Sequence, residues 1–319
     1  MARKRKGRPV HGWIILDKPS GLTSTEAVSR IKRIFNAAKA GHAGTLDPLA
    51  NGILPIALGE ATKTVPFVVD GTKGYRFTVR WGSETDTDDI EGETLETSDA
   101  RPTRQEIEGV LQDFTGEIEQ IPPRYSAIKV DGARAYDLAR EGGEFELQAR
   151  KVHVHRLDLV EMRDADHCVF EASCGKGTYV RALARDIGRR LGTFGHINEL
   201  RRTRVGPFTE KATISLDKLE ELSHSAAGQE GLDAVLLPVE TALDDIPALA
   251  VSGDDAAKLS RGQAVLLRGR DAPVISGPVY ATSRGHLVAL GEVKRGELWP
   301  KRVFNLSGNR HRLTPVLQI

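Results

Sequence analysis

Cysteine is nearly absent from these 319 residues. Cys168 and Cys174 are too few for a disulfide framework, and with only His167 beside them they lack the spacing of a four-ligand zinc site. A reducing, cytoplasmic compartment is the expectation. No segment approaches the roughly 20 apolar residues that cross a bilayer, and no apolar run follows the basic N-terminus, so neither a membrane span nor a signal peptide is expected. An excess of one charge sign is missing too: 45 Lys+Arg against 44 Asp+Glu leave a net +1, so any polyanion contact must come from local patches. Gly175-Lys-Gly-Thr178 has Phe170 where a phosphate loop needs its first glycine. There is no Gly-x-Gly-x-x-Gly after a strand and no His-Glu-x-x-His, so nucleotide hydrolysis, nicotinamide chemistry and zinc proteolysis have no sequence support.

What is present suits a two-domain chain, with 39% hydrophobic residues to build the cores. The charge is segregated. Residues 176–204 hold eight cations against Asp186 and Glu199, while 84–108 hold ten acids against Arg101 and Arg104. Each run is either a solvated face or a contact surface. Arg3, Lys4, Arg5, Lys6 and Arg8 read as a disordered basic tail over 1–11 that touches RNA nonspecifically. A capping box at Thr23 and Glu26, with Val28, Ile31, Ile34 and Phe35 at helical spacing, predicts a helix from 23 to about 38. Its polar side, with Arg30, Lys32 and Arg33, is a solvated face or a phosphate-binding one. In 41–59 the glycines, Pro48 and Pro55 argue against a long regular element.

Tyr75, Phe77, Val79 and Trp81 alternate with polar residues as a half-buried strand does. A second capping box at Thr103 and Glu106 opens a helix, 121–126 is a loop, and 152–160 and 168–174 are strands. Val180, Leu183, Ala184, Ile187 and Leu191 predict a helix ending at Gly192, with Arg181, Arg185 and Arg189 on one side. From about 247 short apolar pieces divided by glycine predict a small β domain.

The segment Gly41-His-Ala-Gly-Thr-Leu-Asp-Pro-Leu-Ala-Asn-Gly52 sets one carboxylate in a glycine-bounded loop beside a histidine and a proline, where it can serve as nucleophile or base. It resembles, residue for residue, the catalytic motif of the TruB family of bacterial tRNA pseudouridine-55 synthases. The motifs Leu16-Asp-Lys-Pro-Ser-Gly-Leu-Thr-Ser24, Thr85-Asp-Thr-x-Asp89, Ile121-Pro-Pro-Arg-Tyr-Ser-Ala-Ile-Lys129, Cys174-Gly-Lys-Gly-Thr-Tyr-Val-Arg181 and Leu200-Arg-Arg202 are similar to the family's other blocks and come in its order.

The resemblance implies the α/β (α+β) pseudouridine synthase fold, a mixed, mainly antiparallel sheet over 12–246, followed by a PUA-like RNA-binding domain over 247–319. It implies isomerisation of uridine 55 in the T loop of tRNA without cofactor or metal. Asp47 is then the catalytic nucleophile, Arg181 its cation and Tyr75 its companion in the catalytic group. His42 stacks in the space the extruded base leaves, and Tyr179 and Leu200 line the base pocket. Lys18, Lys129, Arg201 and Arg202 are expected on the substrate, with phosphate contacts from the arginines. Open rivals are a noncatalytic tRNA chaperone, a synthase for another RNA of the kind that works in guided particles and carries a fuller PUA domain, and a glycosidase that drafts Asp89 as second carboxylate.

Overall fold

The computed structural model describes residues 7–126, 128–130, 132–143, 145–267 and 276–306. Its first half contains β1 (Gly12–Lys18), α1 (Ser24–Ile34), β2 (Ala40–His42), β3 (Asn51–Leu58), α2 (Val65–Asp70), β4 (Lys73–Trp81), β5 (Ser83–Thr85), β6 (Thr94–Thr97), α3 (Arg104–Val110) and β7 (Gly116–Gln120). There follow β8 (Lys129–Val130), β9 (Ala133–Arg134), α4 (Ala135–Arg140), β10 (Arg150–Met162), β11 (His167–Cys174), α5 (Val180–Arg190) and β12 (Gly195–Val205). Beyond these lie β13 (Phe208–Thr209), β14 (Ile214–Ser215), α6 (Leu216–His224), α7 (Gly228–Ala234), β15 (Ala248–Ala250), α8 (Gly253–Ser260), β16 (Val265–Leu266), β17 (Gly277–Ser283), β18 (His286–Lys294) and β19 (Glu297–Val303).

The large sheet has ten strands, ordered β14-β1-β3-β12-β4-β11-β10-β7, with β2 on β3 and β13 on β12. Its β1–β14 and β3–β12 pairs are parallel and the rest antiparallel. The mixed, mainly antiparallel sheet is the fold class expected from the sequence. The second sheet, β15-β17-β18-β19-β16, packs its inner face on α8. On its other side Leu287 and Leu290, with Phe304 just beyond β19, share a core with Trp13, Ile15, Val68 and Phe208 of the first.

Local rules set most boundaries. Thr23 and Thr103 form both capping boxes. Helix α1 stops short of 38, because Phe35 turns into the core and Asn36 adopts a left-handed φ of 46°, a conformation asparagine tolerates. The segment 41–59 departs from expectation more sharply, because β3 is eight residues long and contains Pro55. Ile53, Leu54, Ile56, Ala57 and Leu58 are all fully buried, so the strand is a continuous apolar run covered on both faces. Pro55 has no N–H to satisfy, and its carbonyl accepts from Ala43. Gly52 lets this strand approach β12: a Cβ there would sit 2.4 Å from the Arg202 carbonyl oxygen.

The disordered-tail reading is corrected for 7–11. Val10 is buried, Arg8 bridges to Ala37 and its guanidinium holds Asp233 at 3.1 Å. Residues 1–6, with Arg3, Lys4, Arg5 and Lys6, lie outside the described residues.

Candidate active site

The loop between β2 and β3 carries Asp47, and six consecutive carbonyls fix its path. Arg202 of β12 donates to Gly44 at 3.1 Å and Thr45 at 3.0 Å. Ser24, the first residue of α1, donates its hydroxyl to the Leu46 carbonyl and accepts the Leu46 N–H, both at 2.9 Å. Asp47's own carbonyl accepts from Ala50, Pro48's from Gly21 and Lys18, and Leu49's from the Ser20 hydroxyl. This leaves the Asp47 carboxylate one-third exposed at the loop's mouth.

Behind it stands Arg181, in the first turn of α5 and 5% exposed. Its Nε lies 3.0 Å from Asp47 Oδ2 but is not aimed along a hydrogen bond, so the contact is an ion pair only. The fork of the guanidinium is used elsewhere: Nη1 donates to the Thr87 carbonyl at 2.8 Å and Nη2 to Tyr125 at 2.9 Å, with Asp89 Oδ2 3.4 Å from Nη1. Two of the three catalytic candidates, Asp47 and Arg181, are thus brought together, with Arg181 braced by backbone on both sides.

Tyr75 of β4 lies against Arg202, and burial pushes its phenol up to about 12, so it stays a neutral hydroxyl. His42 is half-buried. Burial, then the Arg202 charge, hold its pKa below the usual histidine range, against a backbone hydrogen bond with Gly44. Tyr179 caps the start of α5 and is clamped by Gln120, whose amide accepts the Tyr179 N–H at 2.8 Å and donates to its carbonyl at 3.1 Å. Leu200 is 6% exposed, opposite Phe77 in the sheet.

Three of the expected substrate contacts have intramolecular partners. Arg202 is 1% exposed; besides Gly44 and Thr45 it donates to the Ile53 carbonyl, and burial draws its pKa down. Lys18 is fully buried with its Nζ on the carbonyls of Pro19, Leu22 and Pro48, and burial draws its pKa down to about 8. Arg201 is engaged by Asp17, Asn51 and Glu210. All three build the loop's floor or its flank. Lys129 is exposed on β8 and makes no hydrogen bond or ion pair with the loop among the described residues. Sequence reasoning missed Gln120 and the carbonyl-binding roles of Ser20 and Ser24; the two serines lie within a quoted motif, whereas nothing in the sequence marks Gln120.

The opposed charge runs also meet one another. Arg189 pairs with Glu84 at 2.5 Å, Arg185 with Asp88 at 2.9 Å and with Asp186, and Arg190 with Asp113 at 3.0 Å. Burial raises the Asp88 carboxyl to about 6, against the pull of Arg185. The arginines of α5 are therefore paired within the chain, Arg181 and Arg185 buried and Arg189 and Arg190 at the surface.

Residues 32–180 match the TruB family pseudouridylate synthase N-terminal domain, and 181–244 match the tRNA pseudouridylate synthase B C-terminal domain. The chain is 68% identical over 306 residues to tRNA pseudouridine synthase B of Bradyrhizobium diazoefficiens, covering 96% of this chain and 89% of that one. The chain belongs to the TruB family. A relative of the same name from Caulobacter sp. is 59% identical, over 96% of this chain and all of the other. Among solved structures, a chain of an H/ACA RNP bound to a substrate RNA containing 2'-deoxyuridine is similar, with a TM-score of 0.72, 26% identity, and coverage of 96% of this chain and 92% of that one. An archaeal box H/ACA sRNP Nop10–Cbf5 complex is similar too, with a TM-score of 0.70, 27% identity, and coverage of 95% of this chain and 92% of that one.

Proposed function

We propose that this TruB-family chain is a tRNA pseudouridine synthase that converts uridine 55 of the T loop, with Asp47 as nucleophile. The observation that carries the reading is the Asp47 carboxylate, held at the mouth of a loop with fixed carbonyls and 3.0 Å from a nearly buried arginine. A carboxylate so placed can attack or assist at the sugar carbon as the N1–C1′ bond breaks, after which the base turns and rejoins through C5. Because the isomerisation needs no energy source, neither cofactor nor metal is part of the proposal. The uridine must be turned out of its stack to reach Asp47, with His42 filling the vacated place and Tyr75, Tyr179 and Leu200 around the base. The partner is the T arm of tRNA, the compartment a reducing cytoplasm, and residues 12–246 and 247–319 the catalytic and RNA-binding units.

Identity supports tRNA over a guided substrate: 68% to a tRNA synthase against 26% to the H/ACA RNP chain. Against the glycosidase reading, Asp89 is buried and accepts from the Thr87 hydroxyl and the Glu91 N–H, so it is not free to activate water. The test is carbodiimide mapping of unmodified tRNA incubated with the purified protein and no added cofactor, alongside mass measurement. A new adduct at position 55, on tRNA whose mass before carbodiimide treatment is unchanged, is expected. Loss of the base, or an adduct outside the T loop, overturns the proposal.

A further inference from the structure

We infer that the polar side of α1, continued by Lys39, is a docking surface for the phosphate backbone of the RNA substrate; this rests on the proposal that the substrate is tRNA and extends it to a second contact area. Arg30, Lys32, Arg33 and Lys39 are all exposed. The buried face of the helix, Ser24, Ala27 and Ile31, points the opposite way, so the three helical cations fan across the solvent side. The one carboxylate acting on them is Glu26, one turn before Arg30 and engaged by the Thr23 cap. No ion pair of Arg30, Lys32, Arg33 or Lys39 exists among the described residues.

Charge complementarity selects the occupant. The cation-rich segment 176–204 that looks like an RNA surface is spent on carboxylates and carbonyls, which leaves α1 as a cluster of exposed cations without an ion pair among the described residues. A polyanion of closely spaced phosphates matches such a row, and lysine and arginine bind it without base recognition. The geometry joins this surface to the site. The N-terminal end of α1 holds the Asp47 loop through Ser24, and the cations follow within its length of about 16 Å. An RNA with a nucleotide in the pocket is then within reach of them. At the far end the chain arrives along Arg8, whose backbone is hydrogen-bonded to Asn36 and Ala38.

The test compares full-length wild-type protein with the triple variant Arg30→Gln, Lys32→Gln, Arg33→Gln, measuring affinity for unmodified tRNA across a potassium chloride series. Affinity at low salt is expected to fall about tenfold, and the log–log salt slope to drop by about 2, while the single-turnover rate at saturating tRNA stays within twofold. A charge reversal, Lys32→Glu with Arg33→Glu, should lose more, and Arg190→Gln, a paired cation, should leave the slope alone. Equal affinity and slope in wild type and triple variant, or an equal slope change from Arg190→Gln, overturns the inference. Binding is read without turnover, so an RNA that is bound but not modified refutes the proposed reaction and leaves this surface to be judged separately.

Discussion

Helices α1 and α5 are both eleven residues long and both carry basic side chains on their polar side, yet they use them oppositely. On α5, Arg185, Arg189 and Arg190 each hold a carboxylate, and Arg181 pairs with Asp47. On α1 the cations face water. A run of arginines is thus a poor sign of a nucleic-acid surface until its partners are counted, because the acids that cancel it lie about a hundred residues away in the chain.

The largest way to break this contrast is at the α5 end. Asp47→Asn should cut single-turnover pseudouridine formation by about a thousandfold or more with tRNA affinity within tenfold, a pattern that separates chemistry from binding. Arg181→Met should do nearly as much. Arg181→Lys should fall between, because a lysine keeps the charge but cannot reach Asp47 and the Thr87 and Tyr125 carbonyls together. Normal rates with weak binding in both Arg181 variants would make Arg181 a phosphate contact and erase the distinction between the helices.

Arg202→Met comes next. Stranding the Gly44, Thr45 and Ile53 carbonyls should cost about 1–3 kcal/mol of stability for each one left without a donor, lowered by any water that enters. The rate should drop about tenfold with tRNA affinity unchanged, as stopped-flow and binding measurements would show. A weakened affinity with a normal rate would return Arg202 to the phosphate contacts.

The buried ladder also has a pH signature. Asp88 titrates near 6 in the folded chain and at 3.8 as an ordinary aspartate, so between those values the folded state holds the proton more tightly. Its contribution to stability is present below about 4 and lost as pH rises through 6, a change of about 3 kcal/mol. Denaturant melts of wild type and Asp88→Asn from pH 4 to 7 should show that slope removed in the variant; an unchanged slope would mean the ladder is not desolvated. Smallest is Arg190→Gln, an exposed pair with Asp113, which should shift stability by less than about 0.5 kcal/mol.

Short-range rules made much of this readable from sequence. The capping boxes at Thr23 and Thr103, the alternation of Tyr75 to Trp81 and the helical spacing from Val180 each depend on neighbours within a few residues. The Asp47 loop was readable as a site because its residue types resemble a family motif. What failed depends on distant partners. Arg202 and Lys18 look like surface cations until β12 and the 18–22 turn fold over the loop, and Pro55 reads as a breaker until a strand closes over each face of it.

A loop with every carbonyl from Gly44 to Leu49 already bonded has little freedom to adjust to what enters beside it. Under the proposed reaction the cost of fitting falls on the nucleic acid, and selection would run through deformability: an RNA whose target nucleotide is loosely stacked or mismatched gives up little on turning it out, and a well-paired one gives up several kcal/mol. Discrimination of this kind is written in the mechanics of the substrate, and rigid architecture around Asp47 is what makes the enzyme sensitive to it.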